Sequence, residues 1–314
     1  MKRAVLVGLI ILPLSLFGQQ SSAADPTPSG TIATSVTFPV ERVQKPTNAD
    51  LYCAGFVSKS ISKSNFVGGG SNSPFTTRFG NEPVFLKGQG YEVGQEYTIV
   101  RELKDPNRYE LFTGQWKAVK AAGQPYAEIA RVKIVDTRSK MAIGHVEFSC
   151  DTVLPGDYAI PLVEKTMIGS HLPMRFDRFA PANGQVSGRI IMAKDFDSEM
   201  GNGGKVYLNI GANQGLKVGD YLRAVRSYEA TTHDSVESLS FKSAAQEPTQ
   251  TKQPSINPTF LSKTNGPEIR TSEMPLRAVG EIVIIGTTPT TATGMVVYSL
   301  EPVHLGDRVE LDQQ

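Results

Sequence analysis

The chain has 314 residues, with 32 basic and 31 acidic side chains, a length that accommodates two ordinary domains. So even a balance lacks the long-range field that draws a protein onto nucleic acid or anionic lipid, which argues against DNA or RNA as a partner. Glycine at 29 and proline at 20 residues suit many short strands and turns rather than long helices.

The first segment reads as an export signal over residues 1–24. Lys2 and Arg3 are followed by an apolar run of about 14 residues, Ala4 to Phe17, and then by the small residues Ser21 to Ala24. Basic, apolar and small-residue regions in that order are the pattern of a secretory leader, with cleavage expected after Ala23 or Ala24. A membrane anchor needs roughly 20 apolar residues, so the run is short for one. The mature chain is expected to carry no transmembrane segment, and residues 25–48 to form an N-terminal tether. Removing Lys2 and Arg3 leaves 30 basic against 31 acidic side chains. The two cysteines, Cys53 and Cys150, lie far apart in an exported chain and outside any CxxC motif, which points to a structural disulfide rather than a metal or redox site.

From residue 49 onward the sequence repeats itself. At a constant offset of 150, Ala130–Ile134 falls on Gly280–Ile284, Ala142–Phe148 on Ala292–Tyr298, and Val153–Asp157 on Val303–Asp307. The first pair reads as alternating segments suited to half-buried strands. At an offset of 125, Tyr91–Arg101 falls on Leu216–Arg226. Upstream, Val84–Leu86 answers Val206–Leu208, and Ala54–Val57 answers Ser187–Ile190, each of the latter followed by a glycine-rich tip at Gly68–Gly70 or Gly201–Gly204. In this register Cys53 lies on the first strand of copy one. The expected architecture is mainly β: two tandem small β-barrel-like domains, SH3- or OB-like, from an internal duplication. They occupy 49–165 and 184–314, with a linker at 166–183. Barrel closure removes the exposed edges that so small an open sheet would leave.

The Gly-Asp pairs, Gly156-Asp157, Gly219-Asp220 and Gly306-Asp307, recur at matching places. Glycine accepts φ > 0 and aspartate bonds nearby backbone N–H groups, so these are read as turn formers rather than catalytic carboxylates. The copies diverge most between their third and fourth strands. Copy one has an excursion at 102–125, where Gly114–Ala122 could make two helical turns and Trp116 is expected to pack it onto the barrel. Copy two has a polar insertion at about 230–275, rich in Ser, Thr, Pro, Gln and Lys, expected to be a mobile loop.

The run Val206 to Tyr221, together with Gly280–Ile284 and Gly306–Glu310, resembles the C-terminal β-domain of flagellar assembly protein T. It is also similar to the β-domains of LysM-associated bacterial envelope proteins. The resemblance covers mainly 186–312 and implies a periplasmic or outer-membrane-facing scaffold role with no catalytic residues. The four histidines, His145, His171, His233 and His304, form no metal-ligand spacing, and the chain has no GxSxG elbow. The expectation is a non-enzymatic exported protein without a cofactor. It would be periplasmic, outer-membrane-associated or extracellular, with envelope proteins as partners. The alternative is a cell-wall or polysaccharide-binding protein, with peptidoglycan or another polysaccharide held by Trp116, Tyr109 and Tyr126.

Overall fold

The computed structural model describes residues 43–70, 82–169, 178–179, 181, 184–227, 255–256, 268–269 and 275–312. The leader, the tether before residue 43, and His171 and His233 fall outside them. So does the 230–275 insertion, apart from residues 255–256, 268–269 and 275.

Chain order begins with α1 (Asn48–Tyr52), β1 (Phe56–Ser58), β2 (Phe66–Gly70), β3 (Pro83–Lys87) and β4 (Glu96–Glu102). Then follow α2 (Gln115–Ala122), β5 (Gln124–Asp136), β6 (Ala142–Ser149) and β7 (Tyr158–Pro161). The second half has β8 (Ser187–Ala193), β9 (Glu199–Met200), β10 (Lys205–Leu208) and β11 (Tyr221–Arg226). After the short parallel pair β12 (Ser255–Ile256) and β13 (Glu268–Ile269) come β14 (Arg277–Thr287), β15 (Ala292–Ser299), β16 (Val303–His304) and β17 (Arg308–Leu311).

Two closed six-strand antiparallel barrels result. Barrel one runs β5-β4-β7-β2-β3-β6 and closes through β5–β6, while β1 lies outside it on the edge of β5. Barrel two runs β14-β11-β17-β8-β10-β15 and closes in the same way. The register repeats along with the topology. Val132 faces Val146 and Ile134 faces Gly144, as Ile282 faces Val296 and Ile284 faces Gly294. The bulges after Arg131 and Ile134 recur after Glu281 and Ile284, and the β4 bulge after Ile99 recurs after Ala224. Bulges bend a strand and raise its twist, so both barrels turn their corners at the same residues.

The upstream match is different from the one expected. Gly156 N–H donates to Val67 O (2.8 Å) and Gly306 N–H to Ile190 O (2.9 Å), so the counterpart of Ile190 is Val67 on β2, not Val57. Gly68–Gly70 lie within β2 rather than at a tip, whereas Gly201–Gly204 do form the turn before β10. Ala54–Val57 leads into the extra strand, and Cys53 is the C-cap of α1. That short helix starts because Thr47 and Asp50 make a capping box: Asp50 N–H donates to Thr47 Oγ1 (3.2 Å) and Thr47 N–H to Asp50 Oδ2 (2.9 Å).

The two segments at offset 150 also differ in burial. In barrel one the strands alternate: Val132, Ile134 and Val146 point into the core, while Lys133, Val135, His145 and Glu147 face outward. The outward counterparts in barrel two are Val283, Ile285, Met295 and Val297, and all four are buried. They pack against Leu51 and Ala54, with Val43, Tyr52 and Ile168 alongside. Val43 and Ile168, read from sequence as tether and linker, and Leu51, Tyr52 and Ala54, read as the start of the first β-domain, thus cover the outer wall of barrel two. Gln44 N–H even donates to Val297 O (2.8 Å).

Candidate functional site

The Gly-Asp turns hold more than a bend. Gly156, Gly219 and Gly306 have φ of 94°, 95° and 96°, a region favoured by glycine alone. Each following carboxylate accepts the backbone N–H three residues earlier: Asp157 from Leu154, Asp220 from Lys217 and Asp307 from His304, each at 2.8 Å. Asp157 and Asp307 also receive a two-pronged arginine. Arg101 reaches Asp157 through Nε and one terminal nitrogen, both 2.8 Å, and that terminal nitrogen also donates to Thr152 O (2.6 Å). Arg226 repeats this on Asp307 at 2.9 and 2.8 Å, with Pro302 O as its carbonyl at 2.6 Å. Bidentate arginine–carboxylate pairs are among the stronger polar contacts, and these bind the end of one wall strand to the last turn of the barrel. Sequence reasoning left both arginines without a role, although each ends the run aligned at offset 125.

A second polar cluster lies where the barrels meet. Glu128 on β5 is buried, accepts Gly55 N–H (3.0 Å) and pairs with Lys165 Nζ (2.5 Å), which also donates to Leu51 O (2.7 Å). Burial raises the Glu128 carboxyl above its ordinary range despite the lysine. From barrel two, Tyr207 Oη donates to Ala54 O (2.9 Å), Thr293 Oγ1 to Gly55 O (3.0 Å) and Thr291 Oγ1 to Val57 O (2.7 Å). Lys205 Nζ lies 2.5 Å from Asp50 Oδ1. Gly55 is required here: its φ is 72°, and a Cβ would come within 2.5 Å of the Tyr207 hydroxyl. Every carbonyl of the 54–57 segment that faces barrel two therefore has a donor, as buried backbone requires. The Cys53–Cys150 disulfide, Cα–Cα 5.5 Å, ties the end of α1 to the residue after β6. It thus anchors the seam segment to barrel one rather than joining two barrel strands.

The 102–125 excursion does contain a helix, and the helix packs away from its own barrel. Phe112 and Ala122 belong to the apolar cluster of barrel two, with Ala118 and Val119 against it. Gln115 is buried and donates to Ile191 O (3.3 Å). Glu110 caps the helix by accepting the N–H groups of Gly114 (3.2 Å) and Trp116 (3.0 Å). Trp116, expected to pack, is instead 52% exposed, and Tyr109 is 81% exposed. Tyr126 is 1% exposed and stacks on Phe56 with centroids 5.3 Å apart, so its ring offers no face to a ligand. Of the three rings read as ligand contacts, the structure brings Tyr109 and Trp116 to the surface and withdraws Tyr126.

His145 stands on the outward face of β6 opposite Lys133, and His304 Nε2 lies 3.8 Å from Glu199. Among the described residues no group of three His, Cys, Asp or Glu side chains could hold a metal ion. None of the described helices is long and apolar enough to cross a membrane. No protein-family model matches the chain, and no curated protein matches its sequence.

Proposed function

We propose that this is an exported, non-enzymatic envelope protein that acts as a structural, adaptor or assembly module through protein–protein contacts. The observation that carries the proposal is the seam. Segments attached to barrel one place Val57, Phe112 and Ala122 in the apolar cluster of barrel two and add a satisfied polar lattice, and the chemically capable groups Arg101, Asp157, Glu128, Arg226 and Asp307 are spent on internal bonds. The product is a double barrel presenting fixed surfaces, which suits positioning of other proteins. The leader-like start at 1–24 and the disulfide support an oxidising, exported location, periplasmic or outer-membrane-associated. The resemblance to the flagellar assembly protein T β-domain supports an assembly role. Crosslinking in intact cells followed by purification should return a reproducible envelope protein; a chain that stays monomeric and uncrosslinked would overturn the reading.

A second reading, polysaccharide binding, is favoured by one specific observation. Trp116 and Tyr109 hold their rings in solvent on a braced excursion.

A further inference from the structure

We infer that the outer surface of the α2 excursion is a binding site for an anionic polysaccharide, one carrying carboxylates along its sugar backbone. The inference rests on the second reading above and adds the charge class of the ligand and the residues that hold it.

The surface is built from Lys104, Arg108, Tyr109, Trp116, Lys117 and Lys120, all exposed. On α2, Trp116 and Lys120 are one turn apart and share a face, with Lys117 beside them. Tyr109 is brought to the same end of the helix because its neighbour Glu110 is clamped to the Trp116 N–H. The acids of the excursion are occupied internally: Glu110 caps α2 and Asp105 accepts the Asn107 N–H (2.8 Å). Among the described residues the four cations have no ion-pair partner. The exposed face of α2 thus carries Lys117 and Lys120 beside the Trp116 ring.

That combination selects among polyanions. A protein partner would be expected to bury an apolar centre from which charge is depleted, and here the exposed Trp116 stands among lysines on its own helix. A sugar chain needs no such centre. Its C–H faces stack on a flat ring while its carboxylates meet cations that remain hydrated, a contact that weakens with salt. The platform is also firm, since Phe112, Gln115 and Ala122 lock the underside of the excursion into barrel two.

Titration calorimetry of the purified full chain at low salt tests this with four probes: sodium polygalacturonate, neutral dextran, poly-L-glutamate and oligothymidylate. Polygalacturonate should bind, and dextran should not. Trp116→Ala should weaken that binding on the order of tenfold, and Lys117→Glu with Lys120→Glu should abolish it, with thermal melting unchanged because these side chains face solvent. Equal binding of dextran would overturn the charge requirement while leaving the polysaccharide reading standing. Comparable binding of poly-L-glutamate or oligothymidylate would overturn the sugar and point to an acidic protein or a nucleic acid. Binding of polygalacturonate that ignores both variants would remove the site from α2. No binding of polygalacturonate would sink this inference, and the second reading falls with it only if insoluble peptidoglycan also fails to retain the chain in a pull-down.

Discussion

The carboxylate of Asp307 closes a turn, holds Arg226 in both prongs and lies almost entirely out of water. Replacing it by alanine takes the two-pronged carboxylate from a buried guanidinium and leaves it the more distant Glu301, 3.6 Å away, which should cost about 3 kcal/mol. Asp220→Ala removes one exposed turn bond and should cost roughly 0.5–1.5 kcal/mol. Denaturant unfolding of the two variants should separate them, although both residues follow glycine in the same motif. Glu281 gives a pH signature. It lies on β14 in register with Arg223, whose guanidinium already bonds Glu310, and burial aided by the Asp312 charge pushes its carboxyl up to about 7. Between its ordinary value of 4.5 and about 7 the folded chain keeps a proton that the unfolded chain has lost. That stability is complete below the ordinary value and disappears as pH rises through 7. Glu281→Gln should therefore flatten the fall in denaturation midpoint between pH 5 and pH 8 and be the more stable protein at pH 8.

At the scale of elements, the β5–β6 and β14–β15 hairpins are the same object with different outer faces. His145 and Met295 occupy equivalent outward positions, one partly exposed and the other sealed under α1. Met295→His should cost roughly 2–5 kcal/mol by burying a polar ring, while His145→Met should stay within about 0.5 kcal/mol; comparative melting of both variants checks the asymmetry. That asymmetry was present in the sequence. Val283, Ile285, Met295 and Val297 replace Lys133, Val135, His145 and Glu147 at an offset of 150, and an apolar residue on both faces of a wall strand signals a cover. The later strands, their shared register and the closing turns were legible because a two-residue period and glycine punctuation survive duplication. The first strand was not. Ser187-Gly finds a false partner in Ala54-Gly, and the true one, Phe66–Gly70, is marked by little but its glycines. The site divided in the same way. The exposure of Tyr109 and Trp116 followed from α2 packing on the other barrel, a long-range contact that no local pattern encodes, and the arginine pairs join residues 56 and 81 positions apart.

For the whole molecule, Val57, Phe112 and Ala122 sit in one apolar cluster with the core of barrel two, so the barrels should not melt separately. Calorimetry should show one transition whose calorimetric and van 't Hoff enthalpies agree; two resolved peaks would show that this seam does not couple the two barrel cores. A fragment carrying barrel two alone would bare Val283, Ile285, Met295 and Val297 and should self-associate. The same cover has a consequence for biosynthesis. Residues 43–57 leave the ribosome well before the wall that receives them, since β14 and β15 are made roughly 230 residues later. Until then Leu51 has no seat, and afterwards the finished wall is exposed until Leu51 finds it. Closing so long a loop is slow, and in the interval an apolar sheet face is open to aggregation. A nascent chain of this protein is therefore a client for whatever guards unfolded polypeptides in its compartment, and its yield should track the supply of that protection more closely than that of a single barrel.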